Sequence, residues 1–183
     1  CNGPLFSKIM VFSLPLMLSG LLQLLFNAAD IVVVGRFAGS EALAAVGSTS
    51  SLINLLVNVF MGLSIGANVM VARYYGAGQK RELDEMIHTA IMTSIVSGVV
   101  LIFIGLIFAG PALRLMGTPE DVIEHSVLYM RIYFVGMPVM MLYNFGSAIL
   151  RAVGDTKRPL YYLLFAGVIN VVLNLIFVIF FHM

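Results

Sequence analysis

Gln23, Asn27 and Asp30 stand four and three residues apart, so on a helix they share one face. Gly20 extends that stripe one step back. A carboxylate among amides has two uses. It can take up and release a proton. Ionised, it can join amide oxygens in a shell of hard ligands around Na⁺. Either event removes its negative charge. Near the other end of the chain, Asn170 and Asn174 stand one helical turn apart and could meet it. Asp30, Asn27, Asn170, Asn174 and Gln23 are therefore the candidate cation or proton site. No metal is expected beyond a transported Na⁺ at Asp30. An acid on such a stripe belongs against protein or water, not lipid. Its plainer role is a solvated helix end, since Gly35 and Arg36 follow.

A second stripe runs through Gly47, Ser51, Asn54, Asn58, Met61, Ile65 and Asn68, with spacing that alternates four and three. Asn54, Asn58, Met61 and Asn144 are the candidate lining of a substrate cavity. Taken singly, each asparagine has the plainer role of hydrogen-bond glue between helices. Enzyme chemistry finds little support. Gly62-Leu63-Ser64-Ile65-Gly66 matches G-x-S-x-G, but that pattern needs a strand–turn–helix elbow and a histidine partner. Here it lies in the middle of an apolar run, where Gly62 and Gly66 read as a helix-packing pair. His88, His125 and His182 fall at run ends or in loops, and His88 and His125 read as interfacial residues rather than metal ligands. The single cysteine, Cys1, excludes an internal disulfide and a cysteine-based metal cluster.

The elements that must position these groups are legible from charge. The 183 residues are 61% hydrophobic and 10% charged, where a soluble domain carries about 25% charged residues. Mean hydropathy is +1.04. This is the composition of an integral membrane protein. The net charge of +1 is spread without a basic patch among stacking aromatics, so nucleic acid is not a partner. Five runs carry no charge: 9–29, 42–72, 89–113, 132–150 and 159–181. The first alone, as a helix, is about 31 Å long, enough to cross a hydrocarbon core. None shows the alternation of a membrane barrel strand. The expected fold is an all-α polytopic bundle of five transmembrane helices in one incomplete bundle, residues 1–183, with spans near 9–37, 42–75, 86–110, 119–150 and 159–181.

Local signals refine these bounds. Pro15 and Pro138 each remove a backbone donor inside a run and are the expected hinges. Gly110-Pro111 should end the third span. Thr118-Pro119-Glu120-Asp121 reads as a helix start, with Thr118 as N-cap and Pro119 at N1. Lys80/Asp84 and Arg81/Glu85 read as i,i+4 pairs on a solvated helix start. Lys8, Arg73, Lys80, Arg81, Arg151, Lys157 and Arg158 fall on one side of the membrane, and Arg36, Arg114 and Arg131 on the other. The positive-inside rule places the first set, and the N-terminus, in the cytoplasm. No cleavable signal peptide is evident, since the first run is too long for one. A chain that starts at Cys1 and stops at Met183 after an odd number of spans is expected to continue beyond both.

The sequence resembles the MATE (multidrug and toxic compound extrusion) family, in its N-terminal part. The resemblance rests on LPLMLSGLLQLLFNAADIVVVGRFAG (14–39), EALAAVG (41–47), RYYGAG (73–78), YMRIYFVGMPVMMLYN (129–144) and LRAVGDTKRP (150–159). Each piece alone is weak; their order and spacing together are specific. The resemblance implies two six-helix bundles related by a pseudo-two-fold axis, with five helices of the first bundle present here. It implies a secondary antiporter of the cell membrane that exports cationic or amphiphilic organic compounds against Na⁺ or H⁺. No cofactor is implied beyond that coupling ion. The partners implied are membrane lipid, the organic substrate and the missing C-terminal half. The family's bent first helix matches Pro15, its first-helix acid Asp30 and its glutamine Gln23. One branch of the family carries Asn then Asp on the fifth helix, where this chain has Asn170 and Asn174. The alternative is a lipid-linked oligosaccharide flippase, built from similar bundles. Arginines within the spans would favour it, and the five charge-free runs hold none.

Overall fold

Long apolar runs without charge can satisfy their backbone in a bilayer only as helices or closed barrels. The computed structural model describes residues 5–33, 35–36 and 39–180, and these contain six helices and no strand. Cys1 and His182 lie outside the described residues. The helices are α1 (Leu5–Val33), α2 (Gly39–Gly76), α3 (Lys80–Leu115), α4 (Glu120–Val135), α5 (Met137–Ala152) and α6 (Lys157–Phe180). Four of them are long and apolar enough to cross a membrane alone; α4 and α5, bent by 48° at their break, make a fifth when counted as one span. The expected all-α polytopic bundle is therefore what the chain forms.

Glycines at positive φ close two of the helices. After α2, Gly78 (φ +70) lets its own N–H bond the Tyr75 carbonyl and the Gln79 N–H bond that of Tyr74. After α3, Gly117 (φ +73) does the same with Arg114, and the Thr118 N–H bonds Leu113. Both are Schellman closures, which satisfy carbonyls a helix end would leave orphaned. The second closure corrects two expectations. Pro111 does not end the third span; α3 continues to Leu115. One missing hydrogen bond is outweighed there by Ala109 and Leu113, both fully buried in the core. Nor does Thr118 cap the next helix. Helical backbone starts one residue later than expected, so Pro119 is the cap residue of α4, with no side-chain bond, while the Thr118 N–H takes part in closing α3.

The fourth span breaks at Gly136. Pro138 cannot bond the Phe134 carbonyl and disfavours helical backbone at Met137, so the helix stops and restarts. Pro138 then sits in the first turn of α5, where its missing N–H is tolerated. Pro15, in contrast, lies inside one continuous α1, and Ser19 donates to its carbonyl at 2.8 Å.

The chain divides into two compact units, residues 1–40 with 154–183, and residues 41–153. In the first, α1 packs along α6. A side chain on Gly167 would run into the ring of Phe26, so that ring packs directly on the α6 backbone there. In the second, α3 packs against α4 and α5. Its buried face is mostly small: Ala90, Ser94, Ser97, Gly98, Gly105 and Ala109. Gly98 accepts the backbone of Pro138, and Gly105 accepts the side chain of Phe134. Ile53 and Val57 of α2 join Leu101, Met130, Phe134, Met137 and Met141 in one core. Lipid is as apolar as leucine, so such contacts hold through close packing rather than burial from water. Gly62 and Gly66, expected to be the packing pair, are exposed with open space around them among the described residues. Small residues on α3 fill that role instead.

Candidate ion and substrate site

In the α1–α6 unit the stripe on α1 meets α6 at one point. The Asn174 amide nitrogen donates to Asp30 Oδ1 at 2.5 Å and lies 3.4 Å from Asn170 Oδ1. The residues in between explain the meeting. Phe26 is one turn before Asp30, and Gly167 is two turns before Asn174. Where the ring of Phe26 nests on Gly167, the helices come close enough for two short side chains to touch further along. Phe26 and Gly167 were not singled out in the sequence. The signal was available, because Gly167, Asn170 and Asn174 share a face at i, i+3 and i+7.

Asp30 and Asn174 are partly buried, while Asn170, Asn27 and Gln23 are exposed. Gln23 and Asn27 hold no hydrogen bond among the described residues. The site thus gathers a carboxylate and two amides on facing helices, with two further amides along α1. Its oxygens are the donor set a hard cation takes. The pair is also suited to a proton, because an amide presents a donor on one side and an acceptor on the other.

The remaining candidates lie in the second unit. Asn68 donates to the Ala148 carbonyl at 2.6 Å, a cross-link between α2 and α5. This is the plain glue role. Asn54 and Asn58 are exposed one turn apart on α2. Met61 packs partly buried on the core, and Asn144 is partly buried on α5. Ser64 of the G-x-S-x-G stretch bonds its own helix at Met61 O, 2.8 Å away, as a structural serine does. Exposed His88 bonds the Asp84 carbonyl one turn back at 2.8 Å. Among the described residues no three acidic, histidine or cysteine groups gather as a metal site. Arg81 pairs with Glu85 at 3.1 Å as expected. Asp155 caps α6: its Oδ1 accepts from the backbone N–H of Lys157 and of Arg158, each at 3.2 Å. Arg131 lies well inside α4, which begins at Glu120, in line with the expected helix over 119–150.

A family model, MatE, matches residues 15–176. The chain belongs to the MatE family. Among its relatives is the probable multidrug resistance protein YoeA of Bacillus subtilis, 40% identical over 89% of this chain and 35% of its own length. A second from the same organism, the probable multidrug resistance protein YpnP, is 30% identical over the whole chain and 41% of its own length. A crystal structure of MATE in the bent conformation superposes with a TM-score of 0.85 at 29% identity, covering 93% of this chain and 38% of that one. The chain therefore spans well under half the length of the MatE proteins it matches. These relatives are transport and resistance proteins, not enzymes, and none favours the flippase alternative.

Proposed function

We propose that this chain is the greater part of the first bundle of a MATE-type antiporter, which exports cationic or amphiphilic organic compounds in exchange for Na⁺ or H⁺. It sits in the cell membrane as a multi-pass protein with its N-terminus in the cytoplasm. The remainder of the transporter supplies the opposing bundle that alternating access requires. The names of its relatives and the excess of cationic side chains on one side of the spans support this reading. The observation that carries it is the contact of Asp30 with Asn174 across α1 and α6.

That contact is a two-position device. With Asp30 ionised, the Asn174 NH₂ group donates to the carboxylate. A protonated Asp30 needs an acceptor instead, and Asn174 supplies one by turning its amide over. Na⁺ makes the same demand, since it binds oxygens only. Either ion thus neutralises Asp30 and reorders this polar link between α1 and α6. A neutral Asp30 no longer attracts a cationic substrate, so ion entry and substrate exit are reciprocally linked. Pro15, where α1 lacks one backbone bond, gives that helix a place to bend in response.

The test uses the full-length transporter in proteoliposomes under separately imposed Na⁺ and pH gradients. Asp30→Asn should insert and fold normally yet lose gradient-driven efflux. Wild-type efflux under either gradient would make Asp30 a structural residue and end this mechanism.

A further inference from the structure

A groove of about 630 Å³ runs between the end of α3 and the first half of α4. It belongs wholly to the second unit and shares no residue with the candidate site. Its floor is apolar, with Pro111, Val127 and Leu128 among the lining residues. Its walls carry Arg114, Arg131 and Glu124. None of the three makes an ion pair among the described residues. Arg114 has an ordinary reason to be there, because a cation in the last turn of α3 complements that helix's carbonyl end. Arg131 has no such reason. It lies eleven residues beyond Glu120, about 16 Å along α4 at about 1.5 Å per residue. Its neighbours Leu128, Ile132 and Val135 are exposed, as are Ile107 and Phe108 on α3. That is the surface a helix shows to acyl chains. A guanidinium set in it needs a counter-charge.

We propose that this groove binds an anionic phospholipid, whose phosphodiester is held by Arg114 and Arg131 and whose acyl chain lies over Val127 and Leu128. Charge decides the occupant. Two arginines and one glutamate leave the groove at +1, and a single phosphodiester brings it to zero. Guanidinium forks match phosphate oxygens in shape, and the bonds are strong where water is scarce. Phosphatidylglycerol adds no further charge. Phosphatidylethanolamine adds an ammonium and leaves the groove cationic.

The experiment measures lipid retained by the full-length protein, by native mass spectrometry and by spin-labelled lipid in mixed vesicles. Wild-type protein should retain phosphatidylglycerol in preference to phosphatidylcholine and phosphatidylethanolamine. Loss of either guanidinium, in Arg114→Gln or Arg131→Gln, should weaken that retention about tenfold, the worth of one charged hydrogen-bonded contact. Arg131→Lys should keep part of it. Glu124→Gln should bind phosphatidylglycerol at least as well, and Arg36→Gln should change nothing. The wild-type comparison needs no variant to fold: equal retention of phosphatidylglycerol and phosphatidylcholine overturns the proposal. So does undiminished retention in Arg114→Gln/Arg131→Gln, or a preference for phosphatidylethanolamine that Glu124→Gln abolishes. Competition by inorganic phosphate alone, without loss to uncharged lipid, would mark a plain anion site and also overturn it.

Discussion

The two units of this chain hold themselves together by opposite means. In residues 41–153, small side chains on α3 admit large ones from α4 and α5, and Phe134, Met137 and Met141 are fully enclosed. Several serines there return their hydroxyls to their own helix, as Ser94 does to Ile91 and Ser97 to Thr93. In the α1–α6 pair, most large apolar side chains are exposed, and the described contacts between the two helices include a glycine–ring contact and an amide–carboxylate bond. Interlocking of backbone with backbone gives little freedom to slide. A link of one ring and one polar bond can be remade at small cost. The comparison assigns rigidity to the α3-centred unit and adjustability to the helix pair that holds the carboxylate.

Filling the α3 glycines should break the rigid side of that comparison hardest. A methyl at Gly98 meets the backbone of Pro138, and one at Gly105 meets the first atoms of the Phe134 side chain. Neither neighbour can swing aside, so α3 must part from α4 and α5. Gly98→Ala and Gly105→Ala should each destabilise by about 1–3 kcal/mol, the usual cost of overpacking. Gly62→Ala and Gly66→Ala should be near neutral, because nothing lies within reach of the added carbon among the described residues. Thermal unfolding in detergent compares the four directly. Equal losses at all four would mean that another surface covers Gly62 and Gly66.

The adjustable side should respond to Gly167→Ala with a smaller and different effect. The added methyl would meet the far end of the Phe26 ring, which can rotate away. Stability should fall little. The spacing that lets Asp30 reach Asn174 should change more, so half-saturation for the coupling ion should shift several-fold while maximal transport falls less. Phe26→Leu, made together with Gly167→Ala, should restore the ion dependence by returning space. An unchanged ion dependence in Gly167→Ala would detach the ring contact from the site.

The spans were legible because a membrane chain separates its charges from its apolar runs, and five runs stand out between clusters around Arg36, Lys80, Glu120 and Lys157. The break near Pro138 was legible for a chemical reason, a missing donor. The helix ends were less so. Pro111 looks like a terminator until Leu113 is seen in the core, and Thr118 looks like a cap until α4 is seen to start after Pro119. Packing was hardest to read. Gly62 and Gly66 carry the familiar spacing and touch nothing described, while Gly98 and Gly105 stand seven apart and draw no notice. Of the stripe on α1, Asp30 finds a partner on α6, and among the described residues Gln23 and Asn27 do not. Periodicity shows that residues share a face; it does not show what faces them.

Asn68 tests the comparison at its finest grain. It is a polar link of the rigid unit, donating to the Ala148 carbonyl, beside the Ser48–Ser126 hydroxyl contact, as Asn174 is a polar link of the adjustable pair. The chemistry is alike, but the surroundings differ. Asn68 bonds a backbone carbonyl on a neighbour already fixed by Ala67 and Phe145, which pack in one cluster with Ala90. That contact should therefore add little to an arrangement that apolar packing already specifies. Double-mutant cycles within membranes put such bonds near 0.6 kcal/mol on average, and Asn68→Ala should cost about that much. Asn174→Ala removes this polar link of its pair but leaves the ring contact in place. It should also cost little stability, yet it should abolish the ion dependence that Asn68→Ala leaves intact. Unfolding and efflux measured on the same two variants separate a bond that merely joins helices from one that answers to an ion.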